Sequence, residues 1–177
     1  RESYRGRGFM KALLETALKD MYREGESFTY LMPAAEAIYT PYDFRFVYSQ
    51  RQAVFEKKAE TELIEEEDAT MFQAEELAAF AKERLFGTAR VYAVRDAHYY
   101  QTRVLEQQSE NGGIRMLKKD GKLVGIYCYA KEETCEVLEP LILPGYETVF
   151  WDSISGLSEK PVKVLACPEV LEPCARS

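Results

Sequence analysis

The run Tyr4-Arg5-Gly6-Arg7-Gly8-Phe9-Met10 holds residue types suited to gripping an anion. Gly6 and Gly8 have no Cβ, so the backbone there can turn tightly and come close to a ligand. A strong helix former follows at once in Lys11-Ala12-Leu13-Leu14-Glu15. A helix start presents unpaired N–H groups and the positive end of its dipole, which suits a pyrophosphate. Arg5 and Arg7 add charge that can pair with phosphate oxygens. No lysine-serine pair follows the loop, which disfavours a nucleotide-binding protein of the Walker type. The bland alternative is a basic loop capping an amphipathic helix.

The elements that must aim this loop follow from hydrophobic spacing. Met10, Leu13, Leu14, Ala17, Leu18 and Met21 form one apolar stripe, so a helix is expected from about Gly8 to Glu24, stopped by Gly25. Ser27–Met32 reads as a strand ended by Pro33, and Ala34–Tyr39 as a short helix stopped by Thr40-Pro41. Phe44–Tyr48 alternates as a strand, which Gln52–Phe55 extends or pairs with. The charged stretch Lys57–Asp68 reads as a linker or a solvated strand with Leu63 and Ile64 inward.

Beyond it, Ala69–Leu85 reads as a helix with a stripe of Phe72, Leu77, Phe80, Ala81 and Leu85, ended by Gly87. A second helix spans Asp96–Gln108, with Asp96 as N-cap and Tyr99, Thr102, Val104 and Leu105 along it. Asp120-Gly121 between two apolar runs, Ile114–Leu117 and Lys122–Tyr129, signals a hairpin. A strand at Glu136–Ile142, a helix at Tyr146–Ile154 and a strand at Val162–Ala166 complete the order β-α-α-β-β-β-α-β.

The segment Arg5-Gly6-Arg7-Gly8-Phe9-Met10 resembles motif A of the GNAT N-acetyltransferases, [Gln/Arg]-x-x-Gly-x-[Gly/Ala]. Met10 stands where that motif has a small residue. The pair Ile38-Tyr39, followed by Tyr42-Asp43-Phe44-Arg45-Phe46, is similar to the end of the first acetyltransferase domain of the enhanced intracellular survival (Eis) proteins. That family commonly has Gly-Arg-Phe-Gly-Tyr where this chain has Thr40–Phe44. The resemblance implies acetyl-CoA as co-substrate, held by Arg5, Gly6, Arg7, Gly8, Phe9 and Met10. It makes Tyr39 the general acid, since a phenol carries its proton at neutral pH and can give it to a thiolate. It places the oxyanion-stabilising amide on a strand before Arg1, and the base at the C-terminal carboxylate of the complete chain, a role not assigned to Ser177.

The fold expected is therefore α/β (α+β): a partial GNAT domain at 1–56, then a second, complete GNAT-like domain at 57–177, around mixed, mostly antiparallel sheets. The second copy offers only Leu143-Pro144-Gly145-Tyr146-Glu147 at the cofactor position. Glu147 there would repel a pyrophosphate, so this copy is not expected to bind acetyl-CoA. The strand that should precede the first helix is not among the 177 residues, and neither is the sterol-carrier-like domain of the Eis family. The chain is therefore expected to be a piece of a longer protein, inactive alone.

Composition bounds the rest. The chain is 46% hydrophobic and 30% charged, ordinary for a packed core. A net charge of −7 argues against a nucleic-acid partner and is compatible with a cationic amine acceptor. No apolar run is long enough to span a bilayer, so no membrane partner is expected. Cys128, Cys135, Cys167 and Cys174 form no CxxC pair and His98 is the only histidine, so no metal site is expected. Reduced thiols fit a cytoplasmic protein. His98 and the pair Tyr99-Tyr100 read as structural helix residues. The function expected is transfer of acetyl from acetyl-CoA to an amine on a small cation, a peptide or a lysine, with a homo-oligomer implied by the resemblance. The alternative is a non-catalytic GNAT-like assembly module with a vestigial loop, which Met10 favours.

Overall fold

A computed structural model describes residues 2–33, 35–48, 51–55, 64–89 and 91–166. The chain divides into two compact units, Arg1–Val47 and Tyr48–Ser177. Unit one carries α1 (Phe9–Arg23) and a short α2 (Glu36–Tyr39) that runs into a 3-10 turn at Thr40–Tyr42. Gly25, at φ 88°, closes α1 in the left-handed conformation, and the Glu26 N–H reaches back to the Met21 carbonyl at 3.0 Å. That is the expected glycine stop. The stripe on α1 has the spacing its sequence promised, yet no residue of the helix is buried; Leu13 is 72% exposed.

Two expected strands are absent among the described residues. Ser27–Met32 and Phe44–Tyr48 join no ladder. A strand exists only beside a hydrogen-bonded neighbour, and aromatic, alternating sequence supplies the tendency without the partner.

Unit two is a mixed α/β fold around one six-stranded sheet. Its strands are β1 (Arg51–Phe55), β2 (Glu65–Asp68), β3 (Gly113–Lys119), β4 (Lys122–Lys131), β5 (Cys135–Ile142) and β6 (Val162–Ala166). They lie in the order β1-β6-β5-β4-β3-β2. Only β5 and β6 pair in parallel; the other four pairs are antiparallel. The stretch Gln52–Phe55, expected beside Phe44–Tyr48, instead pairs with β6, Ala53 opposite Val164. The expected boundary at Glu56–Glu60 and the inward Leu63 lie outside the described residues, while Ile64 packs on the core.

Alternation divides the core between two faces of the sheet. Leu117, Tyr127, Tyr129 and Val137 face α5 (Glu147–Ser155), where Phe150, Trp151 and Ile154 are buried. Met116, Ile126 and Cys128 face α3 (Ala74–Thr88) and α4 (Ala97–Ser109), where Leu77, Ala81, Tyr100 and Val104 close the other layer. The hairpin turn Asp120-Gly121 has both residues at positive φ, 51° and 71°, as a type I′ turn requires. Gly112 lies so close to β4 that an added Cβ would fall 1.8 Å from the Tyr129 carbonyl oxygen.

The helices of unit two depart from expectation in detail. Thr70 and Gln73 form a capping box before α3, on a short 3-10 turn, Met71–Gln73. That turn leaves Phe72, expected in the core, 96% exposed. Gly87 lies inside α3, which runs on to Thr88. Asp96 caps α4 as expected, accepting the Tyr99 N–H at 2.8 Å. The buried face of α4 is Tyr100, Val104 and Gln107, while Thr102 and Leu105 are exposed.

Buried phenols make this unit sensitive to alkali. Burial pushes the Tyr100 hydroxyl up to about 12. Burial also raises the Tyr127 hydroxyl, against the opposing effect of its 2.7 Å bond to Ser153. An unfolded tyrosine loses its proton at about pH 10, while these two keep theirs. Their contribution is complete below that pH and drains away as pH rises through the folded values. The denaturant midpoint is expected to hold level to about pH 9 and to fall above about pH 10, less steeply in Tyr127→Phe. A midpoint that stays level at strongly alkaline pH would contradict this.

Candidate functional site

The loop before α1 has the geometry its glycines allow. Gly6 and Gly8 sit at φ 72° and 78°, in the left-handed region. A side chain there costs roughly 1–2 kcal/mol in backbone strain. A Cβ at either position would meet no described atom within 4 Å, so the demand for glycine is conformational rather than one of packing. Gly8 is the N-cap of α1, and its carbonyl accepts the Ala12 N–H at 3.1 Å. No side chain caps this end and no acidic residue stands in the first turn. Among the described residues no side chain accepts from the amides of Phe9, Met10 and Lys11, at the positive end of a 15-residue helix.

The two arginines differ. Arg7 lies over two rings, 5.7 Å from the centre of Tyr4 and 5.3 Å from that of Phe9, which holds its guanidinium beside the helix start. Arg5 is exposed in the turn. Phe9 and Met10 open the helix and stay about half exposed, 47% and 48%.

Tyr39 is the last residue of α2 and is half-buried. Its ring meets Phe44 edge-on, with centroids 5.8 Å apart. Among the described residues no hydrogen bond or ring contact joins Tyr39 to the loop Arg5–Met10. The structure thus gathers Arg5, Gly6, Arg7, Gly8, Phe9 and Met10 at one helix tip, with Tyr39 on a separate turn of the same unit.

In unit two the strand-to-helix connection Leu143–Glu147 carries its own acceptor. Gly145, at φ 89°, gives its N–H to the Glu147 carboxylate at 2.9 Å. Such a carboxylate competes with any incoming anion for the amides of this turn. His98 is exposed on α4. Tyr100 is core and Tyr99 is rim, its hydroxyl donating to Glu139 at 2.6 Å.

A polar cluster went unseen in the sequence. Glu139 lies at φ 53° in β5, where the register against β4 shifts between Ile126 and Cys128. Its carboxylate also meets Arg95 at 3.4 Å and Arg103 at 3.3 Å. Pro140 was the available signal, since a proline inside a strand marks a bulge. Burial and the bond to Glu139 raise the Tyr99 hydroxyl, so it stays a donor.

Among the described residues no group of three or more His, Cys, Asp or Glu side chains could hold a metal ion. None of their helices is long and apolar enough to cross a membrane. Cys128 and Cys135 are buried free thiols, with burial pushing Cys128 up to about 12; Cys167 and Cys174 lie outside the described residues.

Residues 1–47 match the family model described as the acetyltransferase (GNAT) domain. The fold is similar to a GCN5-related N-acetyltransferase from Kribbella flavida, with a TM-score of 0.68 and 15% identity over 94% of this chain and 43% of that one. A GCN5-related N-acetyltransferase from Anabaena variabilis gives a TM-score of 0.63 at 16% identity, over 97% of this chain and 47% of that one. A functionally unknown conserved protein from Staphylococcus epidermidis gives 0.50 at 11% identity, over 92% and 73%. The chain spans less than half the length of the first two. No curated protein matches the chain by sequence.

Proposed function

We propose that this chain carries the acetyl-CoA-gripping end of an N-acetyltransferase. One observation carries the reading: within the residues that match the acetyltransferase domain, two left-handed glycines lead into a helix start that no side chain caps. The amides of Arg7, Gly8, Phe9 and Met10 would hold the pyrophosphate, with Arg5 and Arg7 neutralising it. Tyr39 would protonate the departing thiolate. The acceptor would be an amine on a small cation, a peptide or a lysine, in keeping with the acidic net charge. The enzyme would be Eis-like, cytoplasmic and homo-oligomeric, with the oxyanion amide and the base outside these residues. Unit two would be a GNAT-like partner whose own cofactor turn is occupied by Glu147.

The test is CoA binding by the full gene product, read by native mass spectrometry and calorimetry. Bound CoA is expected. Gly8→Ala is expected to weaken it by roughly tenfold, the strain of a left-handed alanine at the point of closest approach. No binding at millimolar CoA would instead favour a non-catalytic assembly module, the reading that Met10, large and half exposed in the third motif position, supports.

A further inference from the structure

The residues beyond Tyr39 are tied together more closely than an exposed turn needs to be. The Thr40 hydroxyl donates to the Glu36 carbonyl at 3.1 Å. Asp43, at φ 67°, donates its N–H to the Thr40 carbonyl at 3.2 Å. Arg45 then folds back across the whole turn. One guanidinium nitrogen donates to the Phe44 carbonyl at 2.9 Å and the Thr40 carbonyl at 3.4 Å, the other to the Asp43 carboxylate at 2.8 Å. The closed turn brings the Phe44 ring, itself half-buried, edge-on against Tyr39.

We infer that Phe44, held by this Arg45 staple, is a positioning residue that fixes where the Tyr39 hydroxyl points. The inference rests on Tyr39 acting as the acid in the function proposed above. Two observations carry it. The ring contact is edge to face, at an interplanar angle of 66°, the geometry in which one aromatic orients another. The staple uses three acceptors on one planar guanidinium fork, which a lysine could not reproduce. An ion pair this exposed adds little to stability on its own, so its sequence-local arrangement is better read as geometry than as energy.

The chemistry needs such a fix. As the amine nitrogen bonds to the acetyl carbon, the C–S bond breaks and its electron pair goes to sulfur. The Tyr39 O–H passes its proton to that sulfur, and the phenolate is reprotonated through water by the proton the amine sheds. A donor displaced by about an ångström loses much of its effect.

Two measurements on the full gene product test this. In solution NMR, a cross-peak between the Tyr39 and Phe44 rings is expected, and its loss in Arg45→Ala; a missing cross-peak, or one that survives Arg45→Ala, overturns the inference without any assay of turnover. In kinetics, thiol release from acetyl-CoA is followed with an aminoglycoside, a small diamine and a lysine peptide as acceptors. Phe44→Ala is expected to lower kcat about tenfold with KM for acetyl-CoA unchanged, and Phe44→Trp to restore it. In a Tyr39→Phe background, Phe44→Ala should cost nothing further. Independent, multiplicative losses would mean that Phe44 acts on something else. A Tyr39→Phe protein with full kcat would instead remove the acid reading itself, a distinct outcome.

Discussion

Tyr39→Phe in the full gene product is expected to lower kcat about a hundredfold or more while leaving CoA affinity unchanged. The substitution is unusually clean at this site. Among the described residues the Tyr39 hydroxyl has no hydrogen-bond partner, so its removal strands no neighbour. The ring contact with Phe44 is one that a phenylalanine keeps. What disappears is one proton donor. If the thiolate must collect its proton from water instead, the loss falls on the chemical step and not on binding. Thiol release at saturating acetyl-CoA, beside calorimetric CoA binding, separates the two. An unchanged kcat removes Tyr39 from the mechanism. A lost CoA affinity would move its role to the cofactor pocket.

The second large effect is expected far along the chain. Phe150→Ala should destabilise unit two by about 3–5 kcal/mol. Phe150 is fully buried, between the Tyr127 ring at 5.4 Å and the Trp151 ring at 4.9 Å. These aromatics fill the layer between α5 and the sheet, together with Val137 and Val164. Truncation removes the buried surface and also two ring contacts, one edge-on with Tyr127 and one tilted against Trp151. Denaturant unfolding measures the loss. A cost below about 1 kcal/mol, the level of a surface change, would show that α5 is not a core element. CoA binding in the folded fraction should persist, since the proposed cofactor loop belongs to the other unit.

How much of this was legible depended on whether a signal was local. The glycine loop, the start and stop of α1, the Asp96 cap and the Asp120-Gly121 turn each depend on neighbours a few residues away, and each was readable. So was the order β-α-α-β-β-β-α-β from β2 to β6, though not the β1 that opens unit two. Pairing was not: β1 ladders with β6 across more than a hundred residues of sequence, while Ser27–Met32 has strand composition and no ladder. The buried face of α4 was misphased because it includes a glutamine. Tyr100, Val104 and Gln107 share that face, whereas the apolar-looking Tyr99 turns outward to serve Glu139. Hydrophobicity cannot anticipate a tyrosine recruited for its hydroxyl. The staple on Arg45 was equally hidden, because nothing in Asp43-Phe44-Arg45 says that an arginine will fold back onto its own turn.

The β2 edge of the sheet has a bearing on how copies of this protein behave when crowded. Its four residues, Glu65, Glu66, Glu67 and Asp68, are consecutive carboxylates, partly neutralised by Arg115 and Lys118 on the strand inside. An outer strand of bare, apolar backbone is a template for fibril growth; one lined with like charges turns away a second copy that offers the same margin. A second copy that brought up the same strand would set eight carboxylates side by side, a repulsion that two neighbouring cations on each sheet only partly offset.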